Sequence, residues 1–221
     1  MTGGLQDGIA PHALDVAELV RAYARVAPST IGHLADCRLM SPSIRPLEPG
    51  MRVVGPAVTV SLPGRDSTTC YRAFDHVRPG DVLVIDRAGD RRYSCWGEMM
   101  TLAAKMRRLG GVVVDGPLTD LSAVRALGIP VFGRGSSALT TQILRTGTGD
   151  INLPISCGGV AVAPGELILG DEDGVLVLSP VEAIELLQRA VKEEADDAAF
   201  RDALLAGRTP SELVDLGCEE P

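Results

Sequence analysis

The segment from Glu98 to Phe132 most constrains the fold. Met99, Leu102, Ala103 and Met106 recur at helical spacing and stop at Gly110-Gly111. Val112-Val113-Val114 is then a short unbroken apolar run, the pattern of a strand buried on both faces, turned by Asp115-Gly116-Pro117. Leu121 to Leu127 predicts a short helix closed by Gly128, and Ile129-Pro130-Val131-Phe132 the next strand. Helices alternating with buried strands require crossover connections, so the fold class is α/β with a partly parallel sheet.

A second device recurs outside that segment. Pro49-Gly50, Pro79-Gly80 and Pro164-Gly165 each precede an apolar run, and Pro-Gly fits the central pair of a type II turn, with glycine supplying the positive φ. Each pair therefore predicts a turn that launches a strand. Val160-Ala161-Val162, Leu167-Ile168-Leu169 and Val175-Leu176-Val177-Leu178 read as closely spaced strands. Residues 14–23 predict an amphipathic helix that ends near Pro28, and Pro180 to about Ala206 a long helix charged on one face. No Ser/Gly linker or abrupt charge shift divides the chain. Residues 1–221 therefore read as one domain.

Composition narrows the function. Hydrophobic residues make up 45% but aromatics only 3%, so the core is built from Ala, Val, Leu and Ile. A net charge of −8 repels phosphate backbones, and the few scattered aromatics make no stacking platform, which argues against a nucleic-acid partner. Cys37, Cys70, Cys95, Cys157 and Cys218 form no C-x-x-C pair and read as reduced thiols. His12, His33 and His76 lie too far apart for a helical metal cluster. No apolar run approaches the ~18–20 residues needed to span a bilayer, and residues 1–7 lack signal-peptide regions. The expectation is a soluble cytoplasmic protein with no membrane contact.

The best candidate for chemistry combines Gly97-Glu98-Met99-Met100 with Asp120. The first segment opens a helix, where backbone N–H groups and the dipole favour an anion. Asp120 follows a buried strand at the start of another helix, where α/β sheets place ligands. Two carboxylates beside anion-binding amides suit a Mg²⁺ that keeps several waters and also binds an anionic substrate. A structural alternative stands beside this one, since Asp is a preferred N-cap and a first-turn Glu compensates the dipole. Two other segments read as plain structure. Asp171-Glu172-Asp173-Gly174 lacks EF-hand spacing and predicts a strand-to-strand turn, and Gly133-Arg134-Gly135-Ser136-Ser137 lacks the Lys-Ser/Thr of a P-loop.

Cys95-Trp96-Gly97-Glu98-Met99-Met100, Gly111-Val112-Val113-Val114-Asp115-Gly116 and Thr119-Asp120, followed by Ile129-Pro130-Val131-Phe132, Pro164-Gly165-Glu166 and Asp171-Glu172-Asp173-Gly174-Val175, resemble the signature of the RraA-like family, which implies a domain core at about 13–207. That family contains regulators of ribonuclease E activity and divalent-metal 4-hydroxy-4-methyl-2-oxoglutarate aldolases, which also decarboxylate oxaloacetate. Members also carry a demethylmenaquinone methyltransferase label, for which this chain has no glycine-rich nucleotide-binding turn. The resemblance implies a swivelling β/β/α fold, assembled as a homotrimer or as a dimer of trimers (a hexamer), with sites between subunits.

For the site, the resemblance implies that Asp120 ligates Mg²⁺ or Mn²⁺ directly and Glu98 reaches it through water. The backbone N–H groups of Gly97, Met99 and Met100 hold the substrate carboxylate. An acidic residue from the neighbouring subunit's C-terminal helix completes the site; Asp197 is the best match, with Glu193 and Glu194 as rivals. The implied activity is lyase cleavage of a C–C bond in a 2-oxo or hydroxy di- or tricarboxylate, of aldolase or decarboxylase type. The alternatives are a non-catalytic ribonuclease regulator, or an isomerase or hydratase using the same site. Where the family's aldolases have Arg before the metal-binding Asp, this chain has Thr119, so the substrate-binding chemistry there must differ. A lost charge-assisted pair costs on the order of 1.5–3 kcal/mol. Arg72, Arg91, Arg92 and Arg125 are the cations that could replace it.

Overall fold

The computed structural model describes residues 16–214, so His12, Cys218 and positions 14 and 15 of the helix expected from sequence lie outside the described residues. Two helices, α1 (Val16–Tyr23) and α2 (Pro28–Leu34), come first. Pro28 does follow the end of a helix, but it also starts another. Its fixed φ and missing N–H suit the first turn, so the same residue that punctuates α1 initiates α2.

Strands β1 (Arg38–Leu39), β2 (Arg45–Pro46) and β3 (Val53–Ser61) follow, then helix α3 (Thr68–Arg72) and strand β4 (Val82–Asp86). The segment read first from sequence becomes α4 (Glu98–Met106), β5 (Gly111–Val114), α5 (Leu121–Leu127) and β6 (Val131–Gly133). β6 begins two residues later than the apolar run suggested, because Pro130 has no N–H to contribute to a ladder. The remaining elements are β7 (Asp150–Ile151), β8 (Ile155–Cys157), β9 (Val160–Val162), β10 (Leu167–Gly170), β11 (Val175–Leu178), α6 (Pro180–Leu205) and α7 (Pro210–Leu213).

The main sheet runs β1-β11-β10-β3-β4-β5-β6-β2, with β7 against β3. Strands β3, β4, β5 and β6 pair in parallel, and β10, β11, β1 and β2 join antiparallel at the flanks. The parallel centre is buried on both faces. Leu83, Ile85, Val112 and Val114 pack with Ala104 of α4 and Val124 of α5, whereas Val82, Val84 and Val113 pack with Met40, Ile44 and the β8-β9 hairpin. A third cluster sets α1, α2 and α6 against β10 and β11.

Helix α6 starts with a reciprocal cap. Ser179 Oγ accepts from the Glu182 N–H at 3.2 Å, and the Glu182 carboxylate accepts from the Ser179 N–H at 2.6 Å. Further along, Glu194 accepts from the Ala27 N–H at 2.8 Å and the Thr30 hydroxyl at 2.6 Å, supplying α2 with the amino-terminal cap its own sequence lacks. Asp171 to Gly174 forms the β10-β11 turn, closed by the Asp171 N–H donating to the Gly174 carbonyl. No helix among the described residues is long and apolar enough to cross a membrane.

Candidate active site

The carboxyl-terminal end of β5 leads through Leu118 and Thr119 to Asp120. Leu118 bridges Trp96 on one side and Ser136 on the other, and the Thr119 N–H donates to the Trp96 carbonyl at 2.9 Å. These bonds lay the Thr119-Asp120 segment alongside the start of α4. Asp120 adopts the left-handed region, φ 53° and ψ 37°, an uncommon backbone for a residue with a side chain. It stands at the N-cap position of α5 but makes no cap bond to that helix. Its Oδ2 instead accepts from the Glu98 N–H, 3.1 Å away, at the start of α4. The cap expected from sequence is therefore made across the site, to the other helix.

Gly97 allows this approach. A Cβ at that position would lie 2.4 Å from Asp120 Oδ2 and 2.6 Å from Thr119 Cγ2. With no side chain at Gly97, α4 has no cap of its own, and Asp120 takes that place. Behind the turn, Trp96 Nε1 donates to Thr101 Oγ1 at 2.9 Å, and that hydroxyl donates to the Gly97 carbonyl at 2.8 Å. Trp96 is 1% exposed and stacks on Phe74, ring centroids 6.2 Å apart.

These residues surround a cleft of about 220 Å³. Gly97, Glu98, Met99, Met100, Thr119 and Asp120 all line it, so the structure brings together every site residue expected within one chain. Amides in the first turn of α4 have no partner within the helix and can serve an anion. Asp197 stands exposed on α6, outside this lining. Among its rivals, Glu194 is committed to capping α2.

Five lining residues were not anticipated from sequence: Ser67, Tyr71, Ser94, Thr140 and Thr141. They come from the start of α3, from the approach to Trp96 and from the irregular stretch 134–149. Ser94 joins the last two, since its N–H donates to the Leu139 carbonyl and its carbonyl accepts from the Thr141 N–H. Asp66 fixes the far side. Its carboxylate accepts from the N–H and hydroxyl of Thr68, the N–H of Leu144, and the N–H and hydroxyl of Thr146, at 2.5–3.0 Å. The Thr146 and Thr68 hydroxyls, and then the two backbone amides, hold the Asp66 carboxyl well below the usual range. Cys95 also borders the cleft; its neighbour Cys70 is pushed well up by its hydrogen bond to Cys95 and by burial, so it remains a neutral thiol.

The arginines proposed to replace the family's cation are mostly held elsewhere. Arg125 pairs with Glu48 at 3.2 Å, Arg91 pairs with Asp115 at 3.0 Å, and Arg92 lies over the Tyr93 ring. None of these, nor Arg72, lines the cleft. Asp115, part of the recognised motif, is structural. It binds Arg134 and Arg91 and accepts from the Gly158 N–H, tying β5 to the β8-β9 hairpin.

The carboxylates present suit one class of ion. Asp120 Oδ1 has only the Thr119 hydroxyl at 3.5 Å, the outer limit of a hydrogen bond, and so is available as a ligand. No group of three or more His, Cys, Asp or Glu side chains gathers among the described residues. That donor set is too sparse for a structural zinc but fits Mg²⁺ or Mn²⁺, which bind through one or two carboxylates and complete their shells with water and substrate.

The RraA-like family model (Aldolase/RraA) matches residues 23–177, a span that contains the whole cleft. The chain belongs to the RraA-like family. It is 41% identical over 165 residues to a protein of Halalkalibacterium halodurans named "Putative 4-hydroxy-4-methyl-2-oxoglutarate aldolase", covering 75% of this chain and 78% of that one. Among solved structures, Streptomyces coelicolor RraAS2, described as an unusual member of the RNase ES inhibitor RraA protein family, superposes with a TM-score of 0.73. Its sequence identity is 30%, and the match covers 83% of this chain and 96% of that one. An uncharacterized protein from Pseudomonas syringae pv. tomato gives a TM-score of 0.77 over 95% of this RraA-like chain and 98% of its own, at 23% identity. The swivelling β/β/α fold expected from the sequence is thus the family's fold, with its parallel centre between a helical layer and a hairpin layer.

Proposed function

We propose that this RraA-like protein is a divalent-metal-dependent lyase that cleaves the C3–C4 bond of a 2-oxo acid, one bond removed from the oxo carbon. The observation that carries this reading is Asp120: a strained backbone, held beside the open turn of α4, with one carboxylate oxygen capping Glu98 and the other left for a ligand. The similarity to proteins named as aldolases supports the same chemistry.

Asp120 would hold the Mg²⁺ or Mn²⁺ directly and Glu98 through water. When bound, the ion supplies Lewis-acid polarisation of the 2-oxo group and stabilises negative charge developing on its oxygen. The chain's own groups do the rest. First-turn amides of Gly97, Met99 and Met100 orient the substrate carboxylate, which fixes the bond to be broken relative to the oxo group. In the retro-aldol direction the C4 hydroxyl gives up its proton and the C3–C4 electron pair passes towards the C2 oxygen. C4 leaves as a carbonyl compound, and C3 then takes a proton to yield pyruvate. In oxaloacetate the departing group is CO₂. Glu98, exposed and lining the cleft, would hold and move the proton. The assembly in this reading is a homotrimer or dimer of trimers, with Asp197 of a neighbouring copy entering the site. Met99 and Met106 on α4 and Leu139, Ile143 and Leu144 beside the cleft are exposed apolar side chains suited to such a contact. The unpaired thiols of Cys37, Cys70, Cys95 and Cys157 support a reducing, cytoplasmic setting.

The deciding assay incubates the protein with oxaloacetate and with 4-hydroxy-2-oxo acids, with Mg²⁺ or EDTA, and follows pyruvate. Metal-dependent release from at least one substrate is expected; none from any would sink the reading. Gly97→Ala provides a geometric check. The new Cβ would collide with Asp120 Oδ2, and displacement of a positioned group by about 1 Å costs ~10²-fold in turnover. The thermal midpoint should change little, which separates this loss from unfolding.

A second reading, a non-catalytic regulator that binds a ribonuclease, draws on the likeness to Streptomyces coelicolor RraAS2. Tight capture of a ribonuclease by a protein that binds no metal would favour it. Isomerase or hydratase chemistry at the same site would instead appear as a product of unchanged or water-shifted mass.

A further inference from the structure

We infer that the substrate carries one carboxylate, at its 2-oxo end, and a neutral hydroxylated tail read by Thr119, Ser67, Tyr71 and Thr140. The 2-oxo head rests on the lyase reading above; the tail rests on the charge and hydrogen-bond inventory of the cleft.

The described lining holds two carboxylates, Glu98 and Asp120, and no Lys, Arg or His. One divalent ion balances that pair, and the amides at the start of α4 serve one substrate carboxylate. A second carboxylate on the tail would find no counter-charge. Most flanking cations are engaged elsewhere, Arg91 and Arg134 by Asp115, Arg125 by Glu48, and Arg65 and Arg92 by the Tyr93 ring, while Arg72 is exposed and does not line the cleft. Removing an unpaired carboxylate from water without a partner is strongly unfavourable.

Hydroxyl groups replace the missing charge. Six lining side chains carry one: Ser67, Tyr71, Ser94, Thr119, Thr140 and Thr141. Two are occupied by backbone, Ser94 Oγ donating to the Trp96 carbonyl at 3.0 Å and Thr141 Oγ1 to the Ser94 carbonyl at 3.3 Å. Thr119 has only its 3.5 Å contact to Asp120, and Ser67, Tyr71 and Thr140 have no side-chain hydrogen bond to the described residues. A hydroxyl both donates and accepts, so this set matches a polyol-like tail, which also does both, better than a carboxylate, which only accepts. A site built to hydrogen-bond substrate hydroxyls discriminates strongly against analogues lacking them.

The test uses equilibrium binding, reported by Trp96. It is the chain's one tryptophan and borders the cleft. With Mg²⁺ present, its fluorescence is titrated with 5-hydroxy-2-oxopentanoate and with 2-oxoglutarate. These have the same chain length, differ at the tail, and lack the 4-hydroxyl needed for cleavage. The hydroxy acid should bind at least ~10-fold tighter to the unmodified protein. Thr119→Val should weaken the hydroxy acid several-fold and leave 2-oxoglutarate unchanged, and Thr119→Arg should reverse the order. Equal binding, binding of neither, or tighter binding of 2-oxoglutarate by the unmodified protein overturns the inference; the last result would place a neighbouring copy's cation at the tail. Should Thr119→Arg fail to fold, the Thr119→Val comparison decides alone. Pyruvate release is scored separately. Cleavage of 4-hydroxy-2-oxo acids with the wrong binding order defeats the tail assignment only, and correct binding order without cleavage defeats the lyase reading only.

Discussion

Asp120→Asn should lower metal-dependent turnover by about 10³-fold or more, weaken Mg²⁺ binding beyond calorimetric detection, and leave the fold intact. The amide keeps a hydrogen-bond acceptor for the Glu98 N–H, and Asn is as good an N-cap as Asp and tolerates the left-handed backbone that Asp120 adopts. What it loses is the negative charge, and a hard cation held by one direct carboxylate depends on that charge. Asp120→Ala loses charge and cap together, so its stability should fall by about 1 kcal/mol while Asp120→Asn stays close to the unmodified protein. The pair separates the two roles. If Asp120→Asn keeps its activity and only Asp120→Ala is impaired, the carboxylate is a cap and the metal reading fails.

Asp66→Asn should loosen the wall of the cleft and alter the response to acid. The Asp66 carboxyl is held below the usual carboxylate range, chiefly by the hydroxyls of Thr146 and Thr68. A carboxyl with a depressed folded-state pKa contributes stability above its unfolded value of about 3.9, and loses it as pH falls through the folded value. The unmodified protein should therefore lose stability steadily as pH drops below about 4. Asp66→Asn should start with a lower thermal midpoint at pH 7 and show a shallower fall, so the two curves approach each other in acid. At neutral pH, hydrogen exchange at the Leu144 and Thr146 amides should rise ~10-fold or more, because both donate to this carboxylate. Parallel curves across the acid range would show that Asp66 does not pin the loop through its charge.

The sequence carried the parallel centre because periodicity and punctuation agree there. Val112 to Val114 has no polar interruption, and Gly128 closes α5 in the left-handed region. The helix from Glu98 also forms, but it buries Met100, Thr101 and Ala104 and leaves Met99, Leu102 and Met106 of the apolar stripe exposed. It carried the Glu98-Asp120 pairing only through resemblance, since 22 residues separate the partners and spacing alone admits a helix cap. The structure combines these readings: Asp120 does cap a helix, but α4 in place of α5. The cleft wall was illegible for a different reason. Stretch 134–149 has no apolar period, and its course is set by hydrogen bonds to Ser94 and Asp66, distant in sequence. The start of α2 was missed on similar grounds, because its capping group is Glu194, far along the chain.

The division between Asp120 on the sheet side and Thr140 and Thr141 on the stretch pinned by Asp66 bears on how such a protein can change. Asp120, the proposed cation ligand, follows the buried parallel strand β5, where a substitution disturbs packing on two faces. The opposite wall lies in irregular backbone, held by hydrogen bonds to neighbouring segments and not by packing between strands. The parallel ladders β3-β4-β5-β6 do not include this stretch, so its exposed side chains can be exchanged without altering their register. Descendants of one ancestral chain could thus retain the same reactive centre while acquiring new diets, and laboratory selection for altered substrates would do best to randomise this stretch and Thr119, leaving β5 untouched.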